Sequence, residues 1–339
     1  MKNNKLSILI VGDFFSPIHE KAYSQAFSYL GHEVVEFKIT SYFKDRKSFL
    51  SKIQDQFQIG PNIYKLNSSL KEILKKEFDF IFLYRPRLIW QSTLRNNNSL
   101  IFIYNNDDPF SPSYNWYFWR NFFKVLKFSN HIFSYRERNI LEYKKIGYEN
   151  VSLLRSCYIK KHNFPFKTAY KYDVIFIGHF ENDSRDYKIK YLFENGINIK
   201  VFGPNWNRSK FYSLFLKNNI LEGSLNIEDY NKKLNQSKLA LVFFSKLNRD
   251  QYTRRCFEIP ATLTPMICEE NNEILTLFRK DEEIKVFRNK EELLYQINYL
   301  LMNHKERDKI AKNAFKRLLL DKHEIKDRAV NVISIYNKL

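Results

Sequence analysis

The chain has 339 residues, with 56 Lys and Arg against 37 Asp and Glu, a formal net charge of +19 at pH 7. A hydrophobic share of 44%, with 31 Phe and 22 Tyr, excludes a disordered polyelectrolyte. No apolar run approaches the ~20 residues that a bilayer core demands, and the length suits about two domains.

The charge is diffuse. Residues 1–165 hold 25 Lys and Arg against 14 acids, and residues 166–339 hold 31 against 23. There is no basic arm or low-complexity tract and no basic cluster with interleaved aromatics, so nucleic acid is not the expected partner. What remains is a tendency to attract anions, and the excess in the first half leaves peripheral contact with an anionic membrane open. The three cysteines, Cys157, Cys256 and Cys268, form no close metal-type pair and no even disulfide set. A reducing cytoplasm is the expected location, and Leu6–Val11 reads as a first strand and not as a signal peptide.

In chain order, SILIVG is an apolar strand ending at Gly12. A loop leads to a helix carrying Ala22, Ala26, Phe27 and Leu30, Gly31 stops it, and a second strand follows. FDFIFLY, LIFIYNN and HIFSY read as further strands of this first half. The segment KKHNFPFKTAYKYD, roughly 159–172, reads as a linker. Then the opening pattern repeats: a strand to Gly178, a helix with Ile189, Leu192 and Phe193, a stop at Gly196, and a strand to Gly203. LALVFFS and PMICEE add strands, Asn289 and Glu292 mark a helix start, and two more helices run to Leu339. Continuous apolar strands suit parallel sheets covered on both faces, so two βαβ openings predict two Rossmann-like α/β domains. Neither carries G-x-G-x-x-G or a P-loop.

Ligands of such sheets bind beyond the carboxyl ends of the strands. The candidates there are Gly12, Asp13, His19, Arg85, Arg87, Asp107 and Asp108 in the first half, and Gly178, His179, Arg185, Gly203, Asn205 and Trp206 in the second. The densest chemistry is the run after LALVFF, with Arg249, Asp250, Arg254, Arg255 and Glu258 inside ten residues. Guanidinium forks match a diphosphate, and a carboxylate accepts hydrogen bonds from both hydroxyls of a ribose. The bland alternative is an exposed charged loop. For Asp107-Asp108 three readings compete: an Asx turn before Pro109, an acceptor-binding or general-base carboxylate, and a D-x-D metal site. Trp116 and Trp119 read as core or domain-interface aromatics, with sugar stacking as the alternative.

SKLNRDQYTRRCFEIPATLTPMICEE, followed by EIKVF, KEELLYQINYLL and HKERDKIAKNAFKRL, resembles the C-terminal region of the spore-maturation (CgeB-like) glycosyltransferases. IGHFENDSRDYKIKYLFENGINIKVFGPNW resembles the start of that family's donor domain, and YNNDDP its acceptor-domain acidic turn. The resemblance covers roughly residues 170–330 well and the first half loosely. It implies a GT-B fold, two Rossmann-like domains facing across a cleft: an acceptor domain over 1–160, a donor domain over 170–320, and a last helix over 321–339 packing back on the first. It also implies a retaining, metal-independent transfer of a sugar from a nucleotide diphosphate to a surface-polysaccharide, lipid-linked or protein acceptor, with no cofactor beyond the nucleotide-sugar co-substrate. A non-catalytic glycan-binding or surface-layer assembly module is the alternative. Glu258 matches the second acid of the E-x7-E found in related retaining enzymes, the one that holds the ribose. The first acid, which meets the transferred sugar, falls on Asp250, one methylene shorter, and the glycine usual in the following segment is absent from Ala261-Thr262-Leu263-Thr264-Pro265. Gly178, Arg185, Gly203, Asn205, Trp206, Asp250, Arg254, Arg255 and Glu258 are the expected donor-binding residues. Gly12, Asp13, His19, Arg85, Asp107 and Asp108 are the expected acceptor side. Asp250, Arg185, Arg254 and Asp108 are the expected catalytic groups, with Arg185 and Arg254 or Arg255 stabilising the leaving diphosphate.

Overall fold

The computed structural model describes residues 5–43, 45 and 48–339. The chain divides into two units, residues 1–155 with 325–339, and residues 156–324.

The first unit holds a six-stranded parallel sheet: β1 (Ser7–Gly12), β2 (Glu33–Lys38), β3 (Phe80–Tyr84), β4 (Leu100–Asn105), β5 (His131–Ser134) and β6 (Val151–Leu153). Its order is β2-β1-β3-β4-β5-β6, so strand order reverses between β1 and β3, where Ile10 pairs with Phe82 and Val11 with Leu83. Six helices are interleaved: α1 (Glu20–Tyr29), α2 (Phe49–Phe57), α3 (Pro61–Ile73), α4 (Gln91–Leu94), α5 (Arg120–Val125) and α6 (Glu137–Lys145).

The second unit repeats the plan with β7 (Tyr172–Ile177), β8 (Ile199–Phe202), β9 (Leu221–Glu222), β10 (Ser237–Val242), β11 (Met266–Glu269) and β12 (Lys285–Phe287). All pair in parallel in the order β12-β11-β10-β7-β8-β9, with the reversal between β7 and β10. Its helices are α7 (Arg185–Glu194), α8 (Tyr212–Lys217), α9 (Ile227–Asn235), α10 (Arg255–Ala261), α11 (Asn272–Leu277), α12 (Lys290–Met302) and α13 (His304–Leu320). Asn289 caps α12 by accepting from the Glu292 amide at 2.8 Å; the Glu292 carboxylate reaches back to the amide of Arg288, one residue before the cap.

Alternation of side chains sorts the first sheet into an aliphatic and an aromatic face. Ile81, Leu83, Ile101 and Ile103 pack toward Leu66, Leu70 and Phe122. On the other face Phe27 of α1 lies edge-on to Phe80 and Phe82, each fully buried and each contributing about 1.5–3 kcal/mol by leaving water. The last helix, α14 (Ile325–Tyr336), joins this face: it packs on α1, and Tyr336 sits 5.7 Å from the Phe80 ring while its hydroxyl donates to Asp79 at 2.9 Å.

The expected linker is not one. From Asn163 onward the segment is pinned to α9 of the second unit: the Phe164 amide donates to Asn231, the Phe166 amide to Asn235, and Lys171 to the Gln236 carbonyl. The division between units falls at Arg155–Ser156 instead.

One buried titratable group carries a prediction. His131 on β5 lies with its ring tilted against Phe133 at 4.8 Å and meets the Ser152 hydroxyl at 2.8 Å, and burial lowers its pKa from 6.5 to about 4. A depressed imidazole favours the neutral ring in the fold, so its contribution is complete above pH 6.5 and is lost as pH falls toward 4. Denaturant melts across that window should show the first unit losing stability on acidification, with the slope reduced in His131→Gln. Equal slopes in both proteins would refute the assignment.

Candidate functional site

At the reversal point of the second sheet, the chain leaving β7 passes Gly178, and the chain leaving β10 ends in α10. Gly178 leaves room for two neighbours: an added Cβ would lie 2.7 Å from the Phe176 ring and 3.4 Å from the Arg255 guanidinium. Arg255 lies over Phe176 at 6.0 Å, and its Nε is buried with no hydrogen-bond partner among the described residues. A buried donor left unmade costs about 1–3 kcal/mol.

One turn along α10, Glu258 is buried and accepts from the Tyr230 hydroxyl of α9 at 2.9 Å. Burial raises its pKa, against the opposing charges of Arg254 and Arg255 and the Tyr230 hydrogen bond. Burial beside Glu258 likewise raises Tyr230, which therefore stays a neutral donor. Cys256, on the same helix, is pushed up to about 12 by burial and is a core side chain. Tyr230 escaped sequence reasoning because a tyrosine on an amphipathic helix carries no signal of its own.

The other two charges of the run lie elsewhere in this unit. Arg249, held at φ 48°, and Asp250 line a pocket of about 620 Å³ with Lys188, Ser245, Glu269 and Arg288. Ser245 links this pocket to the β7 loop: its hydroxyl donates to Glu181 at 3.0 Å, and Glu181 also meets His179 Nε2 at 2.8 Å. Burial alone would raise the Glu181 pKa, but His179, Arg185 and Ser245 outweigh it and hold the carboxylate low. Glu181 was not named among the sequence candidates, although it lies four residues after an apolar strand, and Ser245 opens the run after LALVFF.

Three expected donor ligands have other work. Arg185 is 1% exposed: its Nε donates to Asp183 Oδ1 at 2.8 Å, one Nη to Oδ2 at 2.5 Å, and the other to the His179 carbonyl at 2.7 Å. It builds the β7 loop and offers no face to a diphosphate. Trp206 is buried against Phe176, Phe180 and Phe215, its indole donating to the Gly178 carbonyl at 3.0 Å, so it is core. Gly203, at φ +137°, sits where a Cβ would come 2.3 Å from that same carbonyl, which makes it a packing glycine. Asn205 takes a left-handed φ of 67° and is exposed at the start of a single 3-10 turn.

In the first unit the reversal point between β1 and β3 opens a pocket of about 350 Å³ lined by Asp13, Lys52, Asp55, Arg85, Arg87 and Phe118. Arg85, at φ 51°, pairs with Asp107 at 2.7 Å, and Arg87 pairs with Asp55 while covering the Phe118 ring at 4.3 Å. Two arginine–carboxylate pairs beside a further acid and an aromatic form an array of donors and acceptors suited to hydroxyl-rich ligands. Asp13 and Arg85 are thus brought together as expected, and Asp107 reaches the group through Arg85.

Asp108 is corrected. It is fully buried, accepting from the Phe110 amide at 3.0 Å and from Asn139 at 2.8 Å, which is the Asx-turn reading and not a base for an acceptor. Gly12 is corrected too: an added Cβ would lie 2.4 Å from the buried Glu20 side chain, which accepts from the Asp13 amide, so the glycine admits Glu20 and not a ligand. His19 stands at the start of α1, with Nδ1 3.1 Å from the Tyr84 hydroxyl. Trp119 is buried in the core, whereas Trp116 is 84% exposed. Among the described residues no three His, Cys, Asp or Glu side chains gather to hold a metal ion, and no helix is long and apolar enough to cross a membrane.

A family model described as glycosyl transferase-like matches residues 188–334. Among curated proteins none matches the chain by sequence. Solved structures are similar over nearly the whole length. Sucrose-phosphate synthase from Thermosynechococcus elongatus superposes with a TM-score of 0.75 at 11% identity, covering 98% of this chain and 99% of that one. Anabaena HepE in complex with UDP-glucose gives 0.71 at 12%, covering 98% and 100%. A glycosyltransferase from Rickettsia africae gives 0.70 at 13%, covering 99% and 98%. The chain therefore has the GT-B fold, two parallel α/β units, and most of its second unit matches the glycosyl transferase-like family.

Proposed function

We propose that the chain is a cytoplasmic glycosyltransferase that moves a sugar from a nucleotide diphosphate donor to a surface-polysaccharide, lipid-linked or protein acceptor with retention of configuration. The observation that carries this reading is the group of Arg254, Arg255, Glu258 and Tyr230 at the reversal point of the second sheet, with the Arg255 Nε buried and without a hydrogen-bond partner among the described residues.

Arg255, with Arg254, faces the diphosphate, and Glu258 accepts from the ribose hydroxyls while Tyr230 holds its carboxylate in place. Asp250 meets the transferred sugar from the pocket it shares with Ser245. In the reaction the bond from the anomeric carbon to the diphosphate oxygen breaks, and its electron pair leaves with the diphosphate. The acceptor oxygen bonds to the same carbon and gives up its proton to the departing diphosphate oxygen. The arginines supply positive charge against the negative charge that the leaving group gains, aimed before reaction in a partly buried site. The first-unit pocket of Asp13, Arg85 and Arg87 receives the acceptor. The HepE neighbour, whose structure holds UDP-glucose, supports a nucleotide sugar as the ligand class.

Titration calorimetry of the full chain with a panel of nucleotide sugars, UDP-glucose first, tests this. One member should bind at a single site and be hydrolysed or transferred with release of the nucleoside diphosphate. A panel in which none binds would overturn the reading and leave a non-catalytic module.

A further inference from the structure

We infer that helix α2 of the first unit is a docking surface for an anionic lipid bilayer. The helix is inside out. At about 100° per residue, Phe49, Leu50, Ile53 and Phe57 share one face, and Ser51 falls on the other. An ordinary surface helix buries the apolar face, yet here Ser51 is buried while Phe49 is 76% and Leu50 70% exposed. Gln58, just beyond the last turn, points inward with Ser51 and donates to the Tyr117 carbonyl at 3.1 Å.

The exposed face is continued by a second segment. Phe57 stacks on Tyr117 at 6.0 Å, Gln56 donates to the Tyr117 hydroxyl at 3.0 Å, and Trp116 stands edge-on to Tyr117 with its own ring in solvent. Arg120 ties the two segments through the Phe57 carbonyl. Aromatic and aliphatic side chains held on one fixed surface, with a tryptophan outermost, suit the boundary between headgroups and acyl chains.

Charge selects the bilayer over an apolar protein partner. Residues 48–71 and 109–130 carry Lys52, Lys65, Lys71, Arg120, Lys124 and Lys127 against a single acid, Asp55, which Arg87 neutralises. Cations beside an inserted apolar face are the pattern that anionic headgroups attract. Lys52 and Asp55 of this helix also line the pocket with Asp13 and Arg85, so a docked α2 would bring that pocket to the lipid surface.

The docking itself does not rest on the donor site, so vesicle binding is measured on the full chain without nucleotide sugar. The chain should co-sediment with phosphatidylcholine vesicles containing phosphatidylglycerol, less with phosphatidylcholine alone, and less as salt rises. Phe49→Ser/Leu50→Ser should lower partitioning about tenfold or more. Tryptophan emission should shift to the blue on vesicle addition, and Trp116→Phe should remove most of that shift. Both variants change exposed side chains, so melting temperature should not move. Wild-type chain left in the supernatant at low salt overturns the inference. So does unchanged binding of the double variant, or a concentration-dependent dimer that the double variant abolishes while vesicles bind neither protein.

Discussion

Replacing Arg255 with Ala is expected to weaken nucleotide-sugar binding about a hundredfold while leaving the melting temperature close to that of the unchanged chain. Truncating one partner of a desolvated charge pair costs about 2–5 kcal/mol, and a hundredfold change in affinity corresponds to about 2.7 kcal/mol. Stability responds differently because, among the described residues, the Arg255 Nε has no hydrogen-bond partner. Removing it deletes a desolvation cost and a contact with the Phe176 ring together, and these offset one another. A residue kept for the fold would show the reverse, a lower melting temperature at unchanged affinity. Calorimetric titration beside a thermal melt separates the two, and unchanged affinity would remove Arg255 from the donor site.

Glu258 adds a pH dependence to the same experiment. Burial raises its pKa, while Arg254, Tyr230 and Arg255 pull it down. A carboxylate that accepts from ribose hydroxyls must be ionised, so donor affinity should fade as pH falls through that raised value. Without Arg255 one of the opposing charges is gone, and the fade should begin at higher pH. A donor affinity with the same pH profile in both proteins would argue against contact between Glu258 and the ligand.

Much of the architecture was legible because buried parallel strands are apolar without interruption, as in SILIVG and DVIFI, and each is followed by polar chemistry. The edge strands were not: Val151–Leu153 and Leu221–Glu222 are too short to carry a pattern. Arg254, Arg255 and Glu258 stood out as charges packed behind a buried strand. Arg185 stood out for the same reason and is buried, because Asp183, two residues earlier, turns its guanidinium inward. Local sequence places a side chain after a strand but does not say whether it faces in or out. The segment through Phe164 and Phe166 resembled a linker because what pins it, Asn231 and Asn235, lies 67 and 69 residues away. Phe49 and Leu50 were missed for the converse reason: apolar helical spacing is ordinarily read as core.

Asp183→Ala should destabilise the second unit by about 3–5 kcal/mol, the cost of leaving a buried guanidinium without its carboxylate. Arg185 is 1% exposed and gives two charge-assisted hydrogen bonds to Asp183, while the Asp183 carboxylate also accepts from the Arg185 amide at 3.2 Å. Glu181, 3.7 Å away, is already engaged by His179 and Ser245 and cannot replace it. A loss of that size is a large part of the total stability of about 5–15 kcal/mol typical of a domain. Because the chain has two units, the loss is read from hydrogen exchange of the β7 and β10 amides. The double variant Asp183→Leu/Arg185→Met separates scaffold from ligand contact, since a buried ion pair exchanged for apolar side chains of similar volume is often neutral in stability. If the pair only shapes the loop, the double variant recovers most of the protection lost in the single one, and donor affinity follows the fold. If protection recovers while donor affinity stays lost, Arg185 reaches the diphosphate after the loop opens, and the inward role drawn from its burial is wrong.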